Sequence, residues 1–424
     1  MKLSKKLLAT YIVLLILFTT SIIAAFTIPT SFIRKNVIES AIQIKEEGLW
    51  FKPFGLFLFQ IDNMTDCLMM NICVSADENN KIKAAMTAEF AQPSNGGIMY
   101  HEMANTTLMA AEKGRQAATE HDEYSRYWHG YQIILRPLLC IFNYKQIRII
   151  NYIIFTSLFS IVIILLYRNA GKVASLSFLA AMFATNIFII PLALQFSTCF
   201  YIAFLSMIVL LSRPDITKDK NKSAVTFFTI GAVTSFMDFL TTPILTLGLP
   251  LAAAGMTDNK GKNTSIRNIT ANSIAWFGGY ASLWASKWIV ASLITGKNVI
   301  STALATAQYR MSDTIIFGGK LISFEDFFSK ITESLQYKSV FIFLLFSTIA
   351  AMAIIATLIY KKKKYLKTYG WLLIISAMPA LWFIVLKNHS IQHIFYTWRD
   401  WILTIWCVII FICSTYKKPE TKWT

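Results

Sequence analysis

The sequence predicts an all-α polytopic membrane protein, and three observations support this. First, 55% of the 424 residues are hydrophobic and only 15% are charged, whereas a soluble domain carries about 25% charged residues. Second, apolar runs recur along the whole chain, many of them near the roughly 20 residues that cross a bilayer as a helix. Third, basic residues collect in the short segments between these runs.

These basic segments account for the net charge of +17. We therefore do not expect a nucleic-acid partner. Loops of membrane proteins that carry Lys and Arg stay in the cytoplasm. Both termini are therefore predicted to be cytoplasmic, and all basic segments then lie on one side. They are MKLSKK, RNAGK, RPDITKDKNK, DNKGKNTSIR, KKKKYLK and YKKPETKW.

About ten transmembrane helices follow from this topology. The first resembles a signal peptide but is long enough to span, so we interpret it as an uncleaved anchor. The sixth is short and could also be a partly re-entrant helix. The predicted spans are Leu7–Ile28, Ile147–Tyr167, Val173–Ile190, Leu192–Leu211, Ala224–Leu240, Pro243–Met256, Asn272–Thr295, Val340–Tyr360, Tyr369–Leu386 and Trp398–Ser414.

The predicted outer loops are very unequal, within a single membrane domain over residues 1–424. The first extracytoplasmic loop, residues 31–146, is far longer than a connector requires. A second long outer segment covers residues 296–337, and a short third one is Lys387–Thr397. All five histidines fall in these outer segments.

In the first loop, "FKPFGLFLFQIDNMTDC" brings two acids behind an apolar segment, Phe51–Ile61. If this region is helical, Asp62 and Asp66 share a face. A carboxyl beside apolar side chains at the membrane surface has a raised pKa, which suits a general base. The alternative is that Asp62 caps a helix that begins at Asn63.

A second stretch of that loop is "YSRYWHGYQIILRPLL", residues 124–139. On a helical wheel Arg126, His129, Ile133 and Arg136 form one stripe among aromatic side chains. Guanidinium groups at headgroup depth suit a phosphate, whose oxygens they bind in pairs. The alternative is an ordinary aromatic and basic anchor at the interface.

Two further cations are candidates for the same role. Lys287 lies in "GYASLWASKW" near the outer half of a predicted span, where charges are costly and usually functional. It could instead extend its ammonium group to the outer surface. Arg310 lies in the outer stretch "QYRMSD".

The short third segment, "NHSIQHIFYTWRD", joins two apolar runs. His389, His393, Tyr396 and Asp400 follow a 4-3-4 spacing, which predicts one helical stripe with Arg399 beside it. Three interpretations remain: a zinc site, a hydrogen-bonded polar cluster, or a site that binds an anionic group at the membrane face. We predict no metal ligands here, because spacing fixes no third one.

The predicted chain begins with a cytoplasmic N-terminus and one span. A long outer loop follows, in which the acids of "IDNMTD" come just after an interfacial helix, and then many spans with short loops. Together these features form one layout. It resembles the GT-C superfamily of integral-membrane glycosyltransferases, which use polyprenyl-phosphate sugars. "YSRYWHGYQIILRPLL", "GYASLWASKW" and "NHSIQHIFYTWR" resemble a poorly characterised bacterial branch associated with surface-polysaccharide assembly. "IDNMTD" differs from the adjacent acidic pair that many members carry.

The resemblance implies a bacterial plasma-membrane enzyme that acts on the extracytoplasmic side. Asp62, or else Asp66, would deprotonate an acceptor hydroxyl on a glycan, lipid or protein. Cations would hold the lipid phosphate that leaves, with the histidines as further hydrogen-bonding groups. A divalent metal such as Mg²⁺ or Mn²⁺ stays open. The implied phosphate-binding residues are Arg126, His129, Arg136, Lys287, Arg310, His389, His393 and Arg399.

Two other functions remain as alternatives. A polysaccharide polymerase or ligase would use a lipid-linked oligosaccharide, although such proteins usually carry their largest outer loop late in the chain. A flippase or transporter of lipid-linked sugars would place charges and broken helices near the middle of the membrane. Only Asp238 and the short span at Pro243 favour the latter.

Overall fold

The structure is a computed structural model. It describes residues 2–56, 59–93, 99–117, 120–257, 266–317, 320–323, 326, 355, 366 and 368–416.

Helices make up most of the described chain. In chain order they are α1 Leu3–Phe26, α2 Thr30–Glu47, α3 Asn63–Val74, α4 Lys81–Thr87, α5 Met99–Lys113, α6 Gln132–Leu139, α7 Tyr144–Ala170, α8 Lys172–Ala184, α9 Leu194–Ser212, α10 Pro214–Lys218, α11 Lys220–Met237, α12 Pro243–Thr257, α13 Ile266–Thr295, α14 Val299–Met311, α15 Trp371–Ser376, α16 Met378–Val385, α17 Lys387–Gln392, α18 Ile394–Thr397 and α19 Trp401–Tyr416.

Short 3₁₀ turns and two small antiparallel sheets complete the fold. The turns are Pro53–Gly55, Arg115–Ala117, Ile187–Leu192 and Trp398–Asp400. Strand β1, Phe90–Ala91, pairs with β2, His121–Asp122, and β3, Thr314–Phe317, pairs with β4, Lys320–Ser323.

Four of the described helical segments are long and apolar enough to cross a bilayer: Leu3–Phe26, Tyr144–Ala170, Leu194–Ser212 and Ile394–Ser414. This agrees with an all-α membrane protein. The count of ten spans is not confirmed, because helices at other predicted positions are shorter or less apolar. Nearly all of the predicted span Val340–Tyr360 lies outside the described residues.

The four candidate spans differ in how deeply they are buried within the protein. Only 11% of the apolar window of α1 is buried, and only 17% of that of α7. Leu194–Ser212 and Ile394–Ser414 are 67% and 72% buried. A helix that exposes apolar side chains on most of its surface suits contact with lipid, whereas a helix covered by other helices lies centrally in a bundle.

The helices α11 and α13 pack with unusually close backbones. A Cβ atom added to Gly231 would lie 2.0 Å from the carbonyl oxygen of Trp276, and one added to Gly279 would lie 2.0 Å from that of Phe228. Small residues that allow such contact are typical of helix pairs in membranes. The end of this helix pair contacts residues 124–131, through Gly130 and Phe236.

The predicted first outer loop folds into a helical subdomain, α2 to α6, beside the end of α1. We call it the outer subdomain after that prediction. One hydrophobic core joins it to the helices, with fully buried members such as Ile22, Met70, Trp128 and Leu283. A second core fills the bundle of α7, α8, α9, α12 and α19. The predicted large loop therefore packs against the bundle and shares a core with it.

Candidate active site

Asp62 begins the first part of the candidate site. It is the N-cap of α3, and its carboxylate accepts hydrogen bonds from the backbone N–H and the hydroxyl of Thr65, at 2.9 and 2.6 Å. The capping alternative is therefore what the structure shows. Asp62 is only 2% exposed. Burial raises its pKa to about 7, with a further increase from the charge of Asp66, against the hydrogen bonds of Thr65.

Asp66 has a different environment four residues later. Its carboxylate accepts from the hydroxyl of Tyr144 at 2.5 Å and from the backbone N–H groups of Leu194 and Gln195 at 2.8 and 3.0 Å. The last two donors are the first N–H groups of α9, so Asp66 caps that helix and complements its dipole. This carboxylate joins the outer subdomain to the central bundle.

The apolar segment before Asp62 is not the predicted interfacial helix. A single 3₁₀ turn, Pro53–Gly55, interrupts it, and Phe54 within that turn has a φ of 65°. Proline removes a backbone donor, and a left-handed residue cannot continue a helix. Trp50 begins this segment and contacts Phe395 edge-on, with ring centroids 5.5 Å apart.

The predicted stripe on residues 124–139 is also wrong, because the helix begins only at Gln132. His129 has a φ of 55°, and the backbone N–H of Gly130 donates to the carbonyl of Phe236 at 2.8 Å. A Cβ at Gly130 would lie 2.5 Å from that same oxygen. Residues 124–131 therefore form a tight turn that packs on the end of α11.

Arg136 and His129, two of the predicted phosphate-binding residues, form their hydrogen bonds with protein groups instead. Arg136 is 1% exposed and donates to the carbonyls of Ala25, Cys73 and Ile28, at 2.9, 2.9 and 2.8 Å. It therefore joins the end of α1 to the end of α3. His129 is hydrogen-bonded at both ring nitrogens, 2.9 Å from the carbonyl of Tyr124 and 3.0 Å from a tyrosine hydroxyl. Burial lowers the pKa of His129 to about 3.

Lys287 is buried and does not extend to the outer surface. Its ammonium group donates to the carbonyl of Met86 at 2.8 Å and lies 5.6 Å from the ring of Trp128. Lys287 therefore joins α13 to the outer subdomain.

Arg126 lies at the edge of the same turn and is partly exposed. Its guanidinium carbon lies 4.3 Å from the ring centre of Tyr124 and 5.5 Å from that of Tyr127. Its backbone carbonyl accepts from the indole N–H groups of Trp284 and Trp288, both at 3.0 Å. Cation–π contact and this backbone anchor hold the arginine in place while leaving it accessible.

The third outer segment meets α14 and the α11–α12 junction at His389. Its Nε2 lies 2.7 Å from the carbonyl of Leu240, and its Nδ1 is hydrogen-bonded to a guanidinium nitrogen of Arg310. A carbonyl only accepts, so Nε2 carries the proton and Nδ1 accepts from Arg310. Burial, together with the charges of Arg310 and His393, lowers the pKa of His389 well below its usual value.

Arg310 is the cation around which the other groups gather. Its charge acts on Tyr127 as well as on His389 and His393, and burial with that charge lowers the pKa of His393 to about 3. We call Arg310, Tyr127, His389, His393 and Tyr396 the Arg310 cluster.

Tyr396 connects this cluster to the carboxylates. Its ring stacks on His393 with centroids 5.3 Å apart, and Arg310, Asp62 and Asp238 are all within electrostatic range of its hydroxyl. Its other neighbour is Phe196 near the start of α9, at 5.7 Å. Segments from both long outer loops, the α11–α12 junction and the third outer segment therefore converge here.

Arg399 and Asp400 follow this segment and are buried without adequate partners. The Nη1 of Arg399 donates to the carbonyl of Phe395 at 2.9 Å, and its guanidinium lies 4.8 Å from the ring of Phe196. Within the described chain its Nε and Nη2 have no acceptor, and neither oxygen of Asp400 has a donor. The amide oxygen of Gln195 is also without a donor there. Buried polar groups in folded proteins rarely lack a hydrogen-bond partner.

The predicted helical stripe over residues 389–400 is only partly present. His393 ends α17 with non-helical dihedral angles, and a 3₁₀ turn follows at Trp398–Asp400. The rings of His389 and His393 are 4.7 Å apart and those of His393 and Tyr396 are in contact. Asp400 is fully buried, and the like charge of Asp238 acts on its carboxylate.

A divalent metal does not fit these residues. The described chain contains no group of three or more His, Cys, Asp or Glu side chains arranged to hold a metal ion. Both oxygens of Asp62 and both of Asp66 already accept hydrogen bonds. We therefore derive no step through a metal.

The predicted residues thus divide into two sets. The residues that lie in one region are Asp62, Arg310, His389 and His393. Arg399 is next to this region, with its guanidinium against the ring of Phe196. Arg126 borders Tyr127 of the Arg310 cluster. The residues that instead join structural elements are Asp66, His129, Arg136 and Lys287.

The sequence reasoning missed Arg148 and gave Tyr127 and Tyr396 no role in the site. Arg148 pairs with Glu47 at 2.7 Å and donates to Asn63, directly after Asp62, at 2.5 Å. A charge just inside an apolar span is the signal that identifies such a residue. Tyr127 and Tyr396 gave no comparable signal, because tyrosine is common at membrane interfaces.

No protein-family model, curated protein or solved structure matches this chain.

Proposed function

We propose that this chain is a membrane glycosyltransferase that moves a sugar from a polyprenyl-phosphate donor to an acceptor hydroxyl outside the cytoplasm. We further propose that it is a multi-pass protein of a bacterial plasma membrane with both termini in the cytoplasm. The observation that carries the function is a chain of contacts. The carbonyl of Phe51 accepts from the backbone N–H of Ile61, directly before Asp62. Trp50 contacts Phe395, whose neighbour Tyr396 stacks on His393 of the Arg310 cluster. This arrangement brings Asp62 near the cluster. It combines a base and a phosphate-binding cation in one region.

Asp62 suits the role of general base. A carboxyl with a pKa of about 7 is partly ionised at neutral pH and is also basic enough to accept a proton from a hydroxyl as it reacts. Asp66 is less suited, since three donors already hold its oxygens.

The cations suit the leaving group. In the proposed reaction the acceptor oxygen forms a bond to the anomeric carbon, and its proton passes to Asp62. The bond between that carbon and the phosphate oxygen breaks, so polyprenyl phosphate leaves with the bonding electrons. Arg310, held by neutral His389, would stabilise the phosphate charge together with Arg126 at the accessible edge. The unpartnered donors of Arg399 are a third contribution.

The test is transfer of labelled sugar from undecaprenyl-phosphate hexoses by the purified full-length protein in nanodiscs. Asp62→Asn should lower the rate at least about 100-fold, the usual contribution of a positioned base. Wild-type activity should rise with pH up to about 7 and then level off, following ionisation of Asp62.

The matched control is Glu112→Gln, which removes an exposed acid of the same outer loop and should leave the rate unchanged. Full activity of Asp62→Asn would remove the base assignment. Turnover of lipid-linked oligosaccharides with no use of single-sugar donors would instead assign the chain to the polymerases and ligases.

A transporter of lipid-linked sugars is a second candidate, and Asp400 is the observation that favours it. A fully buried carboxylate that has no partner among the described residues and lies in a candidate span is typical of transport pathways. Movement of a fluorescent lipid-linked glycan across vesicles, lost in Asp400→Asn, together with no sugar transfer by wild type, would support this candidate.

A further inference from the structure

A basic cavity lies at the other end of the bundle, on the predicted cytoplasmic face. Its volume is about 330 Å³, and its lining includes Lys6 at the start of α1, Arg213 at the end of α9 and Lys222 near the start of α11. Ile216 and Val225 provide apolar parts of the wall. Positive-inside topology explains why these cations are near the membrane. It does not explain why cations about 200 residues apart in sequence line one cavity.

The acids of this region hold the cavity in shape. Asp215 pairs with both Arg213 Nε at 3.1 Å and Lys222 Nζ at 3.0 Å. Asp219 accepts from the first backbone N–H groups of α11, at 2.8 and 3.1 Å. Asp215 offsets one of three lining cations, and the charge of Asp219 also acts on Lys6 and Lys222 without a described ion pair to either.

Two cations of the lining retain donors for a ligand. In the described part of the chain, the ammonium group of Lys6 and the Nη groups of Arg213 form no hydrogen bond or ion pair. Guanidinium and ammonium groups arranged around one space bind phosphate oxygens.

The position beside α1 identifies the source of that phosphate. Only 11% of the apolar window of α1 is buried, and Val13, two turns from Lys6 on the same face of the helix, is 62% exposed. An anion with acyl chains could therefore bind its headgroup in the cavity and extend its chains along α1. Basic pockets between membrane helices bind anionic lipid headgroups in this way.

We propose that this cavity is a binding site for the headgroup of an anionic phospholipid of the surrounding membrane. The proposal does not depend on the glycosyltransferase reaction, since it concerns the opposite end of the bundle and is tested without it.

The test is native mass spectrometry of the delipidated full-length protein with palmitoyl-oleoyl phosphatidylglycerol or phosphatidylcholine. Wild type should retain phosphatidylglycerol preferentially. Lys6→Gln combined with Arg213→Gln and Lys222→Gln should weaken its binding about 100-fold, because each cation near a lipid surface contributes about fivefold.

The control variant removes three charges at the same end but outside the cavity: Lys2→Gln with Lys218→Gln and Lys220→Gln, all exposed. It should bind phosphatidylglycerol within about twofold of wild type. Equal losses in the two triple variants, no loss in either, or equal retention of phosphatidylcholine by wild type would each overturn the proposal.

Inorganic phosphate is the second probe, titrated by calorimetry. Binding as tight as that of phosphatidylglycerol, lost in the cavity variant, would mean a site for a soluble phosphate and overturn the lipid assignment. If circular dichroism shows the triple variant to be unfolded, the single variant Lys6→Gln is the test, because its ammonium group forms no described hydrogen bond or ion pair. It should weaken phosphatidylglycerol binding about fivefold, and unchanged binding would overturn the proposal.

Discussion

Buried charges in the predicted first outer loop and directly after the predicted third outer segment have opposite environments. Arg136 donates to three carbonyls and Asp66 accepts from three donors. Arg399 keeps two nitrogens without acceptors, and Asp400 keeps both oxygens without donors, in the described chain. A satisfied charge holds elements together, whereas an unsatisfied one is costly and is explained by a ligand or a transported ion. Burial alone therefore does not identify a functional residue.

The largest effect is expected when each of two buried arginines, Arg136 and Arg399, is replaced by methionine. Arg136→Met removes three buried hydrogen bonds from a charged donor, to the carbonyls of Ala25, Cys73 and Ile28, so it should destabilise the protein by about 3–5 kcal/mol. Arg399→Met removes one hydrogen bond, to the carbonyl of Phe395, and also removes a buried charge with two nitrogens that have no described acceptor. The free energy of unfolding should therefore stay within about 1 kcal/mol of wild type.

Thermal unfolding of both variants, followed by tryptophan fluorescence in detergent, measures the two effects. Sugar transfer should show the reverse order, with a large loss for Arg399→Met. Equal destabilisation by the two substitutions would contradict the division into satisfied and unsatisfied charges.

A smaller effect is expected from Asp62→Asn on stability, and it depends on pH. The folded-state pKa of about 7 exceeds the ordinary 3.8, so the folded state binds more protons and wild-type stability falls as pH rises from about 4 to about 7. Asparagine does not ionise. The variant should therefore be more stable than wild type by about 2 kcal/mol at pH 8 and no more stable at pH 4.

Unfolding curves at the two pH values provide the measurement, and Glu112→Gln again serves as the control. A variant that is less stable than wild type at pH 8 would mean that the charged form of Asp62 is stabilised in the fold.

The smallest effect is expected from the histidines. The pKa of His393 is lowered to about 3, and that of His389 is also well below its usual value, both by burial and the charge of Arg310. Both should stay neutral from pH 5 to 8. Nuclear magnetic resonance of ¹⁵N-labelled histidine should show no titration of these two rings over that range. A midpoint near 6.5 for either would mean that water reaches the cluster.

The sequence alone determined several features of this protein. Its α-helical membrane character follows from composition, because long apolar runs such as those of α1 and α7 are stable as isolated helices in lipid whatever they pack against. The sequence also predicts Asp62, Arg310 and His389 as candidate site residues, because polar residues at the ends of apolar runs are few.

Only the tertiary structure decided which of these residues lie close together. Helical wheels predicted shared faces for residues 124–139 and 389–400, but His129 has a positive φ and His393 ends a helix. These breaks arise from contacts distant in sequence, such as the hydrogen bond of Gly130 to Phe236 and that of His389 to Leu240. Periodicity reports only neighbours along one helix. The pairing of a buried charge depends on backbone groups brought in by other elements, so the sequence could not separate Arg136 from Arg399.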